Sequence, residues 1–344
     1  MKRMKFISFM LVAMVVFLAA CGGTNNGGNN AGSENQGAEQ TNNAGEATNA
    51  ADPNATRTIK HAIGETEVTG EVKKVVVLEW TYAEDLLALG IQPAGVADTE
   101  GYKVWYGSLE QQLDGSAVDV GTRQEPSIET ITSIDPDLII GVKFRHEAIY
   151  DQLSDIAPTL IFNPYPEEGQ GDQYSEMEET FKAIAAAVGK QAEGDKVLAD
   201  LQAAFEDNKA KLAAAGKENH EVVMTQAWST DGVPTFRLFT DNSMAMSILS
   251  KIGLKNAHKD EAFQVYGYSE TSLEGLTKAQ QASVLYTISP EDTIFSELLP
   301  KNDVYKELQF VKENRLYDLD GIWPFGGPLS AEQLATKVTE LLTK

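Results

Sequence analysis

The chain has 344 residues, of which 51 are Asp or Glu and 28 are Lys or Arg, so its formal net charge is −23 at pH 7. Nucleic-acid phosphates repel such an acidic chain, and this excludes nucleic acid as a partner. A single cysteine in the whole sequence excludes a disulfide framework.

The N-terminus has the parts of a secretory signal peptide. It begins Met-Lys-Arg-Met-Lys and continues with an apolar run over residues 6–20, which is short for a hydrocarbon core of about 30 Å. The run ends in Leu-Ala-Ala-Cys at 18–21, and this matches the bacterial lipobox, in which the cysteine is acylated. We therefore predict a signal peptide over residues 1–21 and lipidation at Cys21, which would anchor the protein on the extracytoplasmic face of the cell membrane. An uncleaved anchor helix with an incidental cysteine is the alternative.

Residues 22–56 contain no Val, Ile, Leu, Met or aromatic residue. Such a segment cannot bury enough apolar surface to offset the ordering of its backbone. We predict that it is a flexible, disordered tether. The folded part then begins at about residue 57, and its length suits two domains or one large one.

Strands and helices alternate from residue 57 onward. The predicted elements are a hairpin over 58–68 that turns at Gly64, a strand at 75–78, a helix at 82–89 that stops at Gly90, a strand at 93–97, a helix at 127–134 and a strand at 138–141. This alternation predicts an N-terminal α/β lobe over 57–172 with a mainly parallel sheet.

Residues 173–216 have no strand pattern. Leu201, Phe205 and Leu212 fall on one apolar helical face, with charged residues opposite. Gly189 divides the segment and leaves a helix of about 25 residues after it. A coiled coil is the alternative, but the apolar repeat is too short for one. We expect this helix to bridge two lobes.

Strand–helix alternation then resumes and predicts a C-terminal α/β lobe over 217–344. Its elements are a strand at 221–224, a helix at 243–252, strands at 284–286 and 315–318, and a closing helix at 330–342. The predicted fold is therefore two Rossmann-like α/β lobes bridged by a single long α-helix.

A short internal repeat links the two halves. The sequence SIETIT at 127–132 is similar to SLEGLT at 272–277, and each copy precedes a buried strand by a similar distance. Chance is the alternative, because six residues of helical sequence carry little information.

Motifs for metal binding and catalysis are absent from the sequence. The four histidines do not have the spacing of zinc ligands, and we expect them on the surface: His61, His146, His220 and His258. There is no Gly-x-Ser-x-Gly elbow, and Gly326-Gly327 lacks the lysine of a phosphate loop. We therefore predict neither a metal site, nor a cofactor, nor an enzymatic activity.

The arginines indicate a binding site. Five follow residue 21, and three of them lie in loops predicted at strand ends: Arg123, Arg145 and Arg237. Ligands of open α/β sheets bind outside the carboxyl ends of the strands, and guanidinium groups hold carboxylates in a bidentate manner. These residues predict a basic pocket, with surface ion pairing as the alternative.

All four tryptophans also fall in predicted loops: Trp80, Trp105, Trp228 and Trp323. Tryptophans in loops are typical of a cleft lined for a ligand. Burial in the core is the alternative for each of them.

Six segments carry a family resemblance. They are GTRQEP at 121–126, IDPDLIIG at 134–141, FRHEAIY at 144–150, IAPT at 156–159, TDNS at 240–243 and GGPLS at 326–330. Over residues 57–344 the chain resembles the class III substrate-binding lipoproteins of ATP-driven iron–siderophore importers, in the branch that includes ferric citrate binders. The resemblance implies two α/β lobes joined by one long helix.

The resemblance also implies roles for single residues. Arg123 and Arg145 match ligand-contacting arginines, and Arg237 and the region of Tyr266 and Tyr268 fall where contacts from the second lobe are expected. The tryptophans would wall the cleft. The resemblance also implies a function for the repeat, because its two glutamates, Glu129 and Glu274, match the family residues that dock onto the permease.

One departure concerns the ligand. Some relatives carry further arginines in the last loop, whereas residues 322–326 contain none, so the resemblance implies a smaller or less charged ligand. We expect ferric citrate first and a hydroxamate–citrate siderophore second, with ferric iron carried only as a chelate. The expected protein is a monomer that feeds an ABC permease dimer and meets the membrane through its lipid anchor. A corrinoid or haem receptor and an extracellular enzyme are the alternatives.

Overall fold

The computed structural model describes residues 55–344. The predicted signal peptide, the lipidation site at Cys21 and nearly all of the predicted tether lie outside these residues. Thr56, the last tether residue in the prediction, already belongs to the first strand. Within the described part of the chain, no helix combines the length and the apolar character needed to cross a membrane.

The first lobe consists of a hairpin followed by alternating strands and helices. In chain order these are β1 (Thr56–His61), β2 (Gly64–Thr69), β3 (Val75–Val77), α1 (Trp80–Ala88), β4 (Gly95–Val96), α2 (Thr99–Tyr106), β5 (Val118–Asp119), α3 (Ile128–Ile134), β6 (Leu138–Val142), α4 (Lys143–His146), α5 (Tyr150–Ser154) and β7 (Thr159–Phe162). The hairpin turns at Ala62 and Ile63, and the predicted turn residue Gly64 begins β2.

Five strands of this lobe form one parallel sheet in the order β5-β4-β3-β6-β7. The chain moves outward from β3 through β4 to β5, then returns to β6 on the other side of β3. The direction of winding therefore reverses between β3 and β6. Such a switch point opens a crevice at the carboxyl ends of the two strands, where α/β folds bind ligands.

Two helices follow, α6 (Gln173–Ala187) and α7 (Gln191–Ala214). Gly189, with φ +72°, separates them as predicted, because a left-handed residue ends a helix and glycine adopts that conformation without strain. A side chain at Gly194 of α7 would meet Leu89 of the first lobe, whereas Lys209 of the same helix packs beside Gly253 of the second. Helix α7 therefore bridges the two lobes.

The remaining strands and α-helices belong to the second lobe. They are β8 (Glu221–Thr230), β9 (Val233–Phe239), α8 (Met244–Lys251), β10 (Lys255–Asn256), β11 (Tyr268–Thr271), α9 (Leu273–Leu276), β12 (Ser283–Thr287), α10 (Asp303–Glu307), α11 (Gln309–Lys312), β13 (Leu316–Asp318) and α12 (Pro328–Thr343). The sheet order is β11-β9-β8-β12-β13, with β10 also paired to β8. The closing helix α12 packs along α7 and also contacts α1.

The second sheet differs from the prediction at one hairpin. Strand β8 continues to Thr230 and returns antiparallel as β9 through Asp231 and Gly232, both with positive φ (51° and 77°). An Asp-Gly pair in this conformation matches the right-handed twist of the flanking strands. Trp228 and Arg237 therefore lie on strands, and their assignment to loops was wrong.

The sequence repeat has a structural counterpart. Ser127 caps α3 by accepting from the N–H of Thr130 at 3.2 Å, and Ser272 caps α9 by accepting from the N–H of Glu274 at 3.3 Å. A serine oxygen here satisfies an N–H that has no partner in the helix. Helices α3 and α9 precede the buried strands β6 and β12, so the same unit occurs once per lobe.

Glu84 of α1 ties the first lobe to the start of α12. Its buried carboxylate accepts hydrogen bonds from the N–H groups of Gly327 and Ser330, both at 2.7 Å, and from the Ser330 hydroxyl at 2.8 Å. The N–H groups of a first helical turn have no partner in the helix, and a carboxylate satisfies them with favourable charge. Glu84 therefore fixes α12 of the second lobe against α1 of the first.

Candidate functional site

A cavity of about 300 Å³ lies between the two lobes, at the switch point of the first sheet. The residues that line it come from both lobes and from α6. They are Glu79, Thr81, Tyr82, Asp85, Arg123, Phe144, Arg145, Pro164, Tyr165, Gln173, Glu176, Met177, Thr180, Arg237, Met244, Tyr266, Tyr268, Trp323, Phe325 and Gly326. All three arginines predicted for the site are among them.

Arg123 and Arg145 meet at one carboxylate. Glu79 follows strand β3, and its two oxygens accept separately from the Nη1 atoms of Arg123 (2.7 Å) and Arg145. Their side chains are only 10–20% exposed, so solvent screens this pairing weakly. Each guanidinium keeps further N–H groups, and the three side chains form a partly neutralised cationic cluster that an anionic ligand can reach.

Arg123 is held in position through its side chain and through its backbone carbonyl. The Arg123 guanidinium lies 3.5 Å above the Trp80 ring, whose indole N–H donates to the carbonyls of Ala97 and Asp98. On the other side, the carbonyl of Arg123 lies 2.8 Å from Nε2 of His146. A cation over an indole face is attracted to it, so Arg123 is held in place before any ligand arrives.

His146 is buried, which contradicts the expectation of a surface histidine. Its Nδ1 accepts a hydrogen bond from the N–H of Val142 at 3.0 Å. Nε2 therefore carries the ring proton and donates a hydrogen bond to the backbone carbonyl of Arg123. Burial lowers the pKa of His146 below its ordinary value. The other three histidines are half-buried rather than exposed.

Arg237 stands on β9 of the second lobe, between two aromatic rings. Its guanidinium lies 4.7 Å from the Trp228 ring and 4.4 Å from the Tyr268 ring. Its Nε donates to Glu270 at 3.1 Å and its Nη1 to Gln226 at 3.3 Å. The second lobe therefore presents one cation to the cavity, on the face opposite the cluster of the first lobe.

The tryptophans have different roles. Trp323 lies in a loop and lines the cavity, as predicted. Trp80 is the first residue of α1 and is 3% exposed, and its ring packs against the Arg123 guanidinium. Trp105 lies in α2 and packs against Trp323 at 5.0 Å. Trp80, Trp105 and Trp228 are not among the lining residues. These three lie on α1, α2 and β8, not in the loops predicted for them.

Aromatic rings from both lobes meet at the mouth of the cavity. Tyr266 of the second lobe lies 5.0 Å from Tyr165 and 6.4 Å from Phe144 of the first. Phe144 and Tyr266 are each 44% exposed. Edge-to-face contacts of this kind are favourable beyond the area they bury. The region of Tyr266 and Tyr268 was expected at the site from the sequence, whereas Phe144 and Tyr165 were not.

Two carboxyl groups on the floor of the cavity were also missed. Burial, together with the neighbouring Glu84 and Glu176, raises the pKa of Asp85 well above its usual range. Burial raises the pKa of Glu176 to about 7, against a hydrogen bond from Thr180 that lowers it. No sequence motif marks these residues among 51 acidic ones.

Glu129 and Glu274 lie outside the cavity. Each is exposed and occupies the second position of its short helix, α3 or α9, two residues after the capping serine. Among residues 55–344, no cluster of three or more His, Cys, Asp or Glu side chains is arranged to hold a metal ion.

Two α/β lobes joined by helices, with a charged and aromatic cavity between them, define a two-lobe binding protein. The chain belongs to the periplasmic binding protein family, whose family model, described as "Periplasmic binding protein", matches residues 75–322. This confirms the family and the fold that the resemblance implied. It is a family of binding proteins, so the chain is not an enzyme.

Named relatives agree with this assignment. The chain is 34% identical to the Bacillus subtilis (strain 168) Fe(3+)-citrate-binding protein YfmC over 287 residues, which covers 82% of this chain and 84% of YfmC. It is 31% identical over 289 residues to the protein named "Probable siderophore-binding lipoprotein YfiY" of the same organism, covering 80% of this chain and 84% of YfiY.

A solved structure confirms the fold independently. The siderophore-binding protein FhuD from Vibrio cholerae, in its complex with Fe3+-Desferal, superposes with a TM-score of 0.71 at 27% sequence identity. The match covers 79% of this chain and 98% of FhuD.

Proposed function

We propose that this protein captures an anionic ferric chelate between its lobes and delivers it to an ABC importer. The observation that carries the proposal is the convergence of Arg123, Arg145 and Arg237 from two lobes on one cavity. Guanidinium groups in a partly desolvated cleft bind carboxylates more strongly than they do in water. The protein need not touch the iron, because the chelator already supplies oxygen ligands.

Ferric citrate is the first candidate ligand. The similarity to the Fe(3+)-citrate-binding protein YfmC supports it. The size of the cavity supports it as well, because about 300 Å³ is at the small end of the range of about 300–1,000 Å³ for ligand pockets. A compact chelate suits this volume better than the large, flat haem or corrinoid ligands.

A hydroxamate–citrate siderophore is the second candidate. The rings of Phe144, Tyr165 and Tyr266 at the mouth offer apolar contact for the organic arms of such a ligand. The similarity to FhuD in its Fe3+-Desferal complex points the same way. Both candidates keep the arginines as partners of the anionic oxygens.

We further propose where the receptor works. Acylation at Cys21 would anchor it on the extracytoplasmic face of the cell membrane, and residues 22–55 would tether the folded part beside its permease. One exposed glutamate per lobe, Glu129 and Glu274, would then dock onto the two halves of a permease dimer. The name of the relative YfiY, a lipoprotein, supports the anchored location.

Tryptophan fluorescence tests the ligand proposal. Because Trp323 lines the cavity and Trp80 lies under Arg123, a ferric chelate bound there should quench the emission. Titration with ferric citrate should saturate, whereas iron-free citrate and haem should not. Replacing Arg145 by Gln should weaken ferric citrate binding about 10- to 100-fold, since a hydrogen bond to a charged group contributes about 1.5–3 kcal/mol.

The matched control is Lys196→Gln, which removes one positive charge from the exposed face of α7. It should leave the affinity unchanged. Quenching by haem or a corrinoid, with none by ferric citrate or a hydroxamate–citrate chelate, would overturn the proposal.

A further inference from the structure

The floor of the cavity contains polar side chains without partners. Asp85 and Tyr82, both on α1, line the cavity and are each 2% exposed. Among residues 55–344, neither Oδ1 of Asp85 nor the hydroxyl of Tyr82 has a hydrogen-bond partner. A buried polar group without a partner is unfavourable by about 1–3 kcal/mol, which indicates that these groups have a use beyond the stability of the fold.

A second carboxyl faces the same floor from α6. Glu176 lines the cavity and accepts a hydrogen bond from the Thr180 hydroxyl. The arginines that line the cavity pair with other carboxylates: Glu79, Asp98 and Glu270. Within the described part of the chain, neither Asp85 nor Glu176 forms an ion pair, so the floor carries two carboxyl groups without a counter-cation.

The groups around this pair are acidic or neutral. Glu79 stands directly before α1 and Glu84 within it, helix α2 contributes the phenols of Tyr102 and Tyr106, and helix α6 the nearby Glu179. The loop of the second lobe that closes the floor contributes Phe325 and Gly326, which carry no charge. Among residues 55–344, the three arginines of this cavity pair with other carboxylates, and no cation forms an ion pair with Asp85 or Glu176.

An anion that enters this cavity disfavours the ionised carboxylates further, because like charges in a poorly solvated site repel. A protonated carboxyl behaves differently. It has an O–H donor that can hold an anionic oxygen, as acidic residues in apolar sites do. The phenol of Tyr82, whose pKa burial raises well above its ordinary value, is a third donor on the same floor.

We propose that Asp85 and Glu176 are a second part of the binding site, which holds a carboxylate oxygen of the ligand through protonated carboxyl groups. The ligand is then bound between guanidinium groups at one end and carboxylic acids at the other, and it enters together with protons. This inference rests on the proposed function, and it narrows the ligand class to chelates with an anionic oxygen that is not fully used by iron.

Calorimetry measures the linked protons directly. Ferric citrate is titrated into the protein at pH 7 in PIPES and in ACES, two buffers with different ionisation enthalpies. At pH 7 the wild type should take up a fraction of a proton per ligand, since Asp85 already holds its proton and Glu176, with a pKa of about 7, is only partly protonated; the affinity should fall about tenfold per pH unit above neutrality. The double variant Asp85→Asn/Glu176→Gln should take up none.

The control variant is Asp195→Asn/Glu206→Gln, which makes the same chemical changes at exposed positions of α7. It should behave as the wild type. Because every protein meets the same ligand solution, changes in the speciation of ferric citrate with pH cancel in the comparison. Equal proton counts for the wild type and the double variant, with ferric citrate bound by both, would overturn the inference.

A second measurement does not depend on the ligand or on the variants. Carboxyl carbon shifts of the ligand-free wild type report the titration of Asp85 and Glu176 by NMR. We expect both groups to keep their protons above pH 6, and titration of both below pH 5 would overturn the inference. If ferric citrate bound to none of the proteins, the proposed ligand would fail, while the NMR titration would still decide the role of the floor.

Discussion

The carboxylate of Glu79 lies 2.7 Å from Nη1 of Arg123, and its other oxygen holds Arg145. The cleft thus contains its own anion, between the two arginines proposed to bind a chelate. Glu79 stabilises two cations that would otherwise repel each other, and it competes with any carboxylate that approaches them. Stability and affinity therefore oppose each other at this residue.

Replacing Glu79 by Gln should lower the stability and raise the affinity. Loss of one partner of a buried ion pair costs about 3–5 kcal/mol. Since Glu79 and its partners remain partly exposed, we expect a decrease of about 1–3 kcal/mol in the free energy of unfolding, measured with urea. Affinity for ferric citrate should rise about fivefold or more by calorimetry. An unchanged or lower affinity, with the protein still folded, would show that Glu79 orients the arginines rather than competing for them.

The pKa of Glu176, raised by burial from its ordinary value of 4.5 to about 7, predicts a pH dependence of stability. Between these two values the folded protein binds more protons than the unfolded chain, so the free energy of unfolding falls as the pH rises. One pKa unit corresponds to about 1.4 kcal/mol. Allowing for the solvent-accessible part of the side chain, we expect a loss of roughly 1–3 kcal/mol between pH 4.5 and 7.5.

Urea unfolding of the wild type and of Glu176→Gln across this range provides the measurement. The difference between the two proteins isolates Glu176, because all other groups titrate in both. Glu206→Gln, at an exposed position of α7, is the control, and its free energy of unfolding should change with pH as that of the wild type does. A difference that stays constant with pH would mean that Glu176 titrates as an ordinary carboxyl.

Glu84 is predicted to matter for stability rather than for ligand contact. Its carboxylate accepts three hydrogen bonds from Gly327 and Ser330, and Gln would turn one acceptor oxygen into a donor that faces N–H groups. We expect a loss of about 2–4 kcal/mol for Glu84→Gln and about 1 kcal/mol for Ser330→Ala, which removes a single donor. Thermal unfolding provides the comparison, and equal effects of the two substitutions would contradict it.

For the exposed Glu129 and Glu274 we predict an effect on uptake without an effect on stability or affinity. Replacing both by Ala should abolish uptake of labelled ferric citrate by cells, and it should leave the affinity and the thermal stability unchanged, because neither residue lines the cavity. Substitution of the exposed Glu206 and Asp195 should leave uptake intact. A loss of affinity in the double variant would place the two glutamates on a different surface from the one proposed.

Much of the fold follows from local patterns in the sequence. The continuous apolar runs of β3 and β6 indicate buried parallel strands, and Gly90 and Gly189, both with positive φ, mark helix ends. Arg145 could be placed at the end of such a strand, although it lies in helix α4 and not in the predicted loop. Arg237 was misplaced because β9 was missed, although the Asp231-Gly232 pair between alternating residues is a strong hairpin signal.

The rest of the site depends on packing between distant parts of the chain. Glu79, Glu84 and Asp85 stand close together on or beside α1, yet one binds arginines, one caps α12 and one faces the cavity. Their neighbours in the sequence do not distinguish these roles. Which side chain of α1 caps a helix and which faces the cavity depends on the loop at 322–327, which packs over α1. The position of that loop depends on the contact between the lobes, which no local pattern encodes.

The attachment of α12 to Glu84 also bears on the kinetics of binding. Because Glu84 holds α12 against the first lobe, we expect an arriving ligand to meet a formed site and to need no large closing step. Association should then proceed near the rate set by diffusion and electrostatic steering, and related chelates should differ mainly in their residence times. The protein would then discriminate between ligands mainly through their dissociation rates.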